Sequence, residues 1–258
     1  MKYDVIVNVG CSFMNGDQIL DEQRKALNEE NKLTPGFYLS KMLSVSLINL
    51  AASGSSNESM FVRIYDWVEK NKVFKNPLFI IGLSGTHRMR VWSEKKNRYY
   101  DLHPGRINDY KGDKLSELSE KITGLNSEGE NLQSWCTWYN KFIYSNEVED
   151  KKLQRNIMWM QSYLKENGCD YRLHNSLEDS LGDIKSKINY ITFIDDNYKE
   201  YDSWFEYLCW QMKNIDGEDF ENTKHRNPCP PYGKRFCYGH PSPNANKELA
   251  QRIFEDLK

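Results

Sequence analysis

The sequence predicts an α/β fold, a three-layer α/β/α sandwich on a mostly parallel sheet, from three observations. Three apolar runs, Tyr3–Val9 (YDVIVNV), Leu47–Ala51 (LINLA) and Pro77–Leu83 (PLFIIGL), are nearly continuous rather than alternating, as strands covered on both faces are. Each ends in a turn rich in Gly, Ser or Asn. Between them, apolar residues repeat with helical spacing, so strand, turn, helix and strand follow one another as in βαβ units.

The elements follow in order. Tyr3–Val9 is the first strand and stops at Gly10. Pro35 stands near the start of a helix that carries Phe37, Leu39, Met42 and Leu43. Leu47–Ala51 is the second strand. After Asn57, Met60, Phe61, Ile64, Tyr65 and Val68 recur at helical spacing, with Asn57 expected as the N-cap. Pro77–Leu83 is the third strand. Residues 93 to about 150 change character: polar, charged and aromatic (YYDLHPGRINDY, WCTWYNKFIY), they read as a partly helical insertion over one edge of the sheet within a single domain spanning residues 1–258. Leu153–Leu164 is expected to be helical, and Cys169–His174 and Ile188–Ile194 are expected to be further strands. Residues 214–239, with Pro228, Pro230 and Pro231, form a long irregular stretch, which in a compact domain is usually functional or disordered. The last helix starts near Pro243 and puts Leu249, Ala250, Ile253, Phe254 and Leu257 on one face.

Bulk composition narrows the function classes. The 258 residues can bury a sizeable core; only 39% are hydrophobic, but the 7 Trp and 16 Tyr each bury much area. Lys plus Arg number 35 and Asp plus Glu 37, a net of −2, which gives no electrostatic case for nucleic acid or an anionic membrane. Lys95, Lys96 and Arg98 form a local basic group that reads as a solvated loop. The N-terminus lacks the apolar run of a signal peptide, and no stretch approaches the roughly 18 apolar residues of a membrane span, so reducing cytosol with free thiols is the expected setting. The six cysteines contain no CxxC pair; Cys229 and Cys237 with His225 and His240 match no standard zinc spacing, so no metal and no organic cofactor is expected.

Four short segments carry candidate chemistry. Gly10-Cys11-Ser12-Phe13 follows the first strand, at the C-terminal edge where parallel sheets bind ligands. A serine there can present its hydroxyl and offer its own N–H to an oxyanion, while Cys11 should face the other way and pack. Asn49–Asn57 closes the second strand, with Gly54 leaving its N–H open to close approach. Gly82-Leu83-Ser84-Gly85-Thr86-His87-Arg88 follows the third strand and brings His87 toward the same edge. Gly239-His240-Pro241-Ser242-Pro243 holds a histidine just before the last helix, placed to act as a general base. His103, His174 and His225 read as packing or surface residues.

Together, VGCSF, NLAASGSSN and GHPSPN in that order resemble the sequence blocks of the SGNH (GDSL-type) hydrolase superfamily, most of all its small bacterial and phage members. The resemblance covers roughly residues 3–92 and 236–258. It implies an SGNH/flavodoxin-like sandwich and a serine-dependent esterase. Ser12 would be nucleophile, His240 base, and Ser12 and Gly54 N–H donors to the oxyanion. The implied substrate is an acetyl or short acyl ester of a carbohydrate or small molecule. Two positions depart from the pattern. Ser84 stands where the family has an oxyanion-binding asparagine, with Asn57 as a substitute donor. Cys237 stands where the family has the aspartate that orients the histidine, leaving Asp216 or Asp219 of the 214–239 stretch, or a backbone carbonyl, to take that role. These departures motivate an alternative, a catalytically silent SGNH-fold protein that binds glycan or another protein. Acyl transfer to an acceptor other than water would use the same residues.

Overall fold

The structure, a computed structural model, describes residues 2–16, 33–109, 111, 113–123, 129–178, 180–195, 197–218, 220, 235–237 and 240–258. Four parallel strands form the central sheet: β1 (Val5–Gly10), β2 (Ser46–Asn49), β3 (Pro77–Leu83) and β6 (Asp170–Asn175), in the spatial order β2-β1-β3-β6. β1 and β3 are buried along their whole length, as their unbroken apolar runs require.

Side-chain alternation assigns the two outer layers. Val7 and Phe79 are register partners, and Phe79 meets Trp67 of helix α3 (Asn57–Lys70) edge to face at 5.4 Å. Tyr171, the partner of Phe79 on β6, donates to Gln161 of α6 (Asn146–Glu166), so α3 and α6 cover that face. Tyr65 of α3 stacks on Tyr163 of α6 at 3.9 Å and remains partly exposed, although its spacing suggested a core position. On the opposite face Asn8 lies under Gly36 of α2 (Pro35–Leu43), which packs against the last helix, α8 (Pro243–Asp256). Thr34 caps α2 and Ser242 caps α8, each accepting from a backbone N–H three residues on, with proline at the first helical position.

The described residues between 89 and 142 form a small body with its own apolar cluster of Leu102, Ile107, Leu115, Ile122, Leu132 and Cys136. It opens with an antiparallel hairpin, β4 (Met89–Ser93) and β5 (Arg98–Leu102), which the charged sequence did not suggest, and continues into α4 (Asp113–Thr123) and α5 (Gly129–Phe142). Lys95, Lys96 and Arg98 sit exposed at the hairpin turn.

Two local expectations are corrected. Asn57 is not the cap of α3: Ser56 is, its hydroxyl accepting from Ser59 N, because the Asn57 amide is engaged elsewhere. Residues 188–194 do not form one strand. They pair in parallel with Leu173 only around Tyr190, and then β7 (Phe193–Ile194) turns back on β8 (Glu200–Tyr201). The Asp195 carboxylate closes that turn by accepting from the N–H groups of Asn197 and Lys199 at 2.9 and 3.0 Å. The Trp204–Asn214 helix, α7, follows, with Ser203 as its cap.

Candidate active site

The site is built where the central strands end. Gly10, Gly82 and His174 are register partners across β1, β3 and β6. Over the two glycines lies Met14 of the short helix α1 (Ser12–Asn15); a Cβ at Gly10 would stand 2.3 Å from Met14 Cγ, and one at Gly82 2.6 Å. Asn8 donates to Met14 O at 2.8 Å and holds the end of α1 down. Glycine on both strands therefore lets the turn after β1 lie flat on the sheet edge, with Ser12 as its first helical residue. Ser12 is 8% exposed, and Cys11 is fully buried and packs in the core.

His240 arrives from the other end of the chain. The two-residue strands β9 (Phe236–Cys237) and β10 (His240–Pro241) pair antiparallel, with His240 directly opposite Cys237 in the backbone register. The His240 ring lies 5.6 Å from the ring of Phe13, the residue after Ser12, and Phe13 also meets Phe205 at 6.1 Å. Asp216 ion-pairs with Arg235 at 3.2 Å, while Asp219 lies outside the described residues.

The loop after β2 reaches the same edge. Gly54 is exposed in a left-handed turn at φ +72, a conformation that suits glycine. Asn57 and Ser84 join this loop to the end of β3: Asn57 Nδ2 donates to Ser84 O and Ser84 N donates to Asn57 Oδ1, both at 2.9 Å. Ser84 is 3% exposed, and its hydroxyl has no hydrogen-bond partner among the described residues. Asn57 keeps a second Nδ2 hydrogen beyond the one given to Ser84.

His87 is paired with a carboxylate that the sequence reading missed. Glu178, just past the end of β6, lies 3.4 Å from His87 Nδ1 and accepts from Thr86 N at 3.0 Å. The bond from His87 holds the Glu178 carboxyl below its usual range. The His87 ring lies 4.1 Å from that of His103, tilted by 40°; burial, and then the neighbouring His87, Arg88 and Arg106, push His103 down to about 3. The available signal for Glu178 was its place beyond a strand on the same sheet edge. His174 is fully buried below this edge, where desolvation pushes its imidazole down to about 3. Among the described residues no group of three or more His, Cys, Asp or Glu side chains could hold a metal; Cys229 and His225 lie outside them. No described helix is long and apolar enough to cross a membrane.

These features define an α/β protein with serine, histidine and hydrogen-bond donors gathered at one sheet edge. No family profile matches the chain, and no curated protein sequence matches it. Solved structures similar to it include TesA (12% identity, TM-score 0.42, covering 99% of this chain and 98% of that one). A G-D-S-L family lipolytic protein from Desulfitobacterium hafniense is similar at 11% identity and TM-score 0.44, over 98% of this chain and 99% of that one. A carbohydrate esterase, whose active site is described as having divergent catalytic and non-catalytic binding functions, is similar at 15% identity and TM-score 0.46, over 98% of this chain and 68% of that one. At such scores the functional reading rests on the site itself.

Proposed function

We propose that the chain is a serine-dependent ester hydrolase of the SGNH type that removes acetyl or short acyl groups from a carbohydrate or small molecule. The observation that carries this reading is the approach of His240 to the Ser12 turn, ring to ring with Phe13 at 5.6 Å, from the far end of the sequence. In the proposed cycle Ser12 Oγ attacks the acyl carbon while His240 takes its proton. The alkoxide leaves with that proton, and His240 then draws a proton from water as it attacks the acyl-enzyme, releasing the acid and restoring Ser12. The Ser12 and Gly54 N–H groups are the proposed oxyanion donors, assisted by Ser84 and Asn57. The Ser84 hydroxyl, without a partner among the described residues, and the spare Asn57 hydrogen support that assignment.

The silent-binding reading draws on a different observation. Trp135, Trp138 and Phe142 of α5 are exposed, a surface suited to stacking on sugar rings. A fluorophosphonate probe followed by mass mapping decides between them. Labelling at Ser12, with turnover of acetyl esters, is expected. Absence of label together with absence of turnover on acetyl and short acyl esters would transfer the case to binding.

A further inference from the structure

Three arginines gather beside the start of α3. Arg63 Nη2 donates to Ser55 Oγ at 2.6 Å, and Arg88 Nη1 donates to Ser55 O at 3.3 Å. Arg90 is the register partner of Asp101 across the β4–β5 hairpin and lays its guanidinium over the Tyr99 ring at 3.8 Å. Burial pushes the Arg63 guanidinium down, with Asp101 opposing and Arg90 adding to the effect, so Arg63 and Arg90 are within electrostatic reach of each other.

The carboxylate among them is committed to other donors. Asp101 accepts from Ser56 N at 3.0 Å, from Ser59 Oγ at 2.7 Å and from the hydroxyls of Ser56 and Ser55. Its charge thus serves the N-terminal turn of α3. The arginines that form ion pairs among the described residues are Arg172, Arg235 and Arg252; Arg63, Arg88 and Arg90 form none. The Nε–H of each of these three is buried without a hydrogen-bond partner among the described residues. A buried unpaired donor costs about 1–3 kcal/mol, more when charged. Three such donors beside Ser55 and a single carboxylate already in use leave an excess of positive charge that a bound oxyanion would satisfy.

We propose that Arg63, Arg88 and Arg90 form a receptor for an oxyanion, carboxylate or phosphate, carried by the substrate. The inference rests on the ester-hydrolase reading and specifies the substrate as an anionic ester. Its position supports this: Ser55 follows Gly54 directly in the chain, and Arg88 lines a groove shared with Asn57, Thr86 and His87.

The test uses the intact protein in two arms. In the first, the arginine Nε–H resonances are followed during titration with inorganic phosphate and, separately, with glucuronate. Saturable shifts of the same three resonances are expected, and the tighter ligand identifies the anion. In the second arm, kcat/KM is compared for an acetylated uronate or sugar phosphate and for the matching neutral sugar acetate. The wild type should favour the anionic ester, and Arg88→Gln or Arg90→Gln should reduce that preference by roughly 10- to 100-fold, the range of a charged hydrogen bond. Two variants, one in the turn before β4 and one on β4, each checked by thermal melting, guard against misfolding. No saturable shift with either anion, or equal loss on anionic and neutral esters, would overturn the receptor. Saturable anion binding in a protein that hydrolyses no ester would keep the receptor and remove the esterase.

Discussion

Asn57 and Ser84 hold each other twice, amide to backbone, with both bonds at 2.9 Å, so the first turn of α3 is locked to the end of β3. Replacing Asn57 with alanine leaves the buried Ser84 N–H and C=O unpaired and should destabilise the fold by about 1–3 kcal/mol. Asn57→Asp keeps an acceptor for Ser84 N but sets a carboxylate oxygen against Ser84 O, so it should be no better than alanine. Urea denaturation of both variants measures this; a midpoint unchanged by either would show that the lock contributes nothing.

Ser12→Ala and His240→Ala should each lower aryl acetate hydrolysis by at least about 10³-fold, and the double variant should be scarcely worse than either single one, because the pair acts as a unit. Ser12→Ala removes only a hydroxyl oxygen, so the melting temperature of that variant should stay nearly constant. Activity surviving in that variant would remove the nucleophile assignment.

Gly82→Ala places a methyl 2.6 Å from both Met14 Cγ and Ser176 Oγ. Overpacking of this kind costs about 1–3 kcal/mol. Met14→Ala on the same background should recover part of the loss, since the clash is with that side chain. Strict additivity in the double-mutant cycle would contradict the packing of Met14 over the sheet edge.

His174 makes stability depend on pH. It is neutral in the fold, with burial holding it at about 3, and ordinary, near 6.5, in the unfolded chain. Below pH 6.5 the unfolded chain therefore binds a proton that the fold refuses. Its contribution is complete above about pH 6.5 and is lost as pH falls toward 3, with a slope of about 1.4 kcal/mol per pH unit. His103, also depressed to about 3, acts in the same direction. His174→Gln should flatten the curve of unfolding free energy against pH over that window; an unchanged slope would show that His174 is charged inside the fold.

By itself the sequence determined the parallel sheet, because the runs through Val5–Gly10 and Pro77–Leu83 are apolar on both alternating faces and suit only a two-sided burial. It determined the helices that Pro35 and Pro243 open and whose apolar residues recur along one face, α2 and α8. It also marked Ser12, Gly54, Ser84 and His240, since each stands in a small-residue turn beside a strand or helix end, a property of local order in the chain. Only the tertiary structure decided what those turns meet. Asn57 looks like a cap in sequence, yet its amide reaches Ser84, a partner far away in the chain, and Ser56 takes the cap. Glu178 had only its place beyond the expected Cys169–His174 strand to mark it, and its pairing with His87 became legible only when β6 was laid beside β3. The arginines at 63, 88 and 90 lie on separate stretches of the chain, and only the fold sets them beside Ser55 and an Asp101 that serine donors already claim. The physical reason is the same in each case: backbone propensity and burial pattern act over a few residues, whereas the pairing of a polar side chain is settled by whichever group packing brings within hydrogen-bond distance.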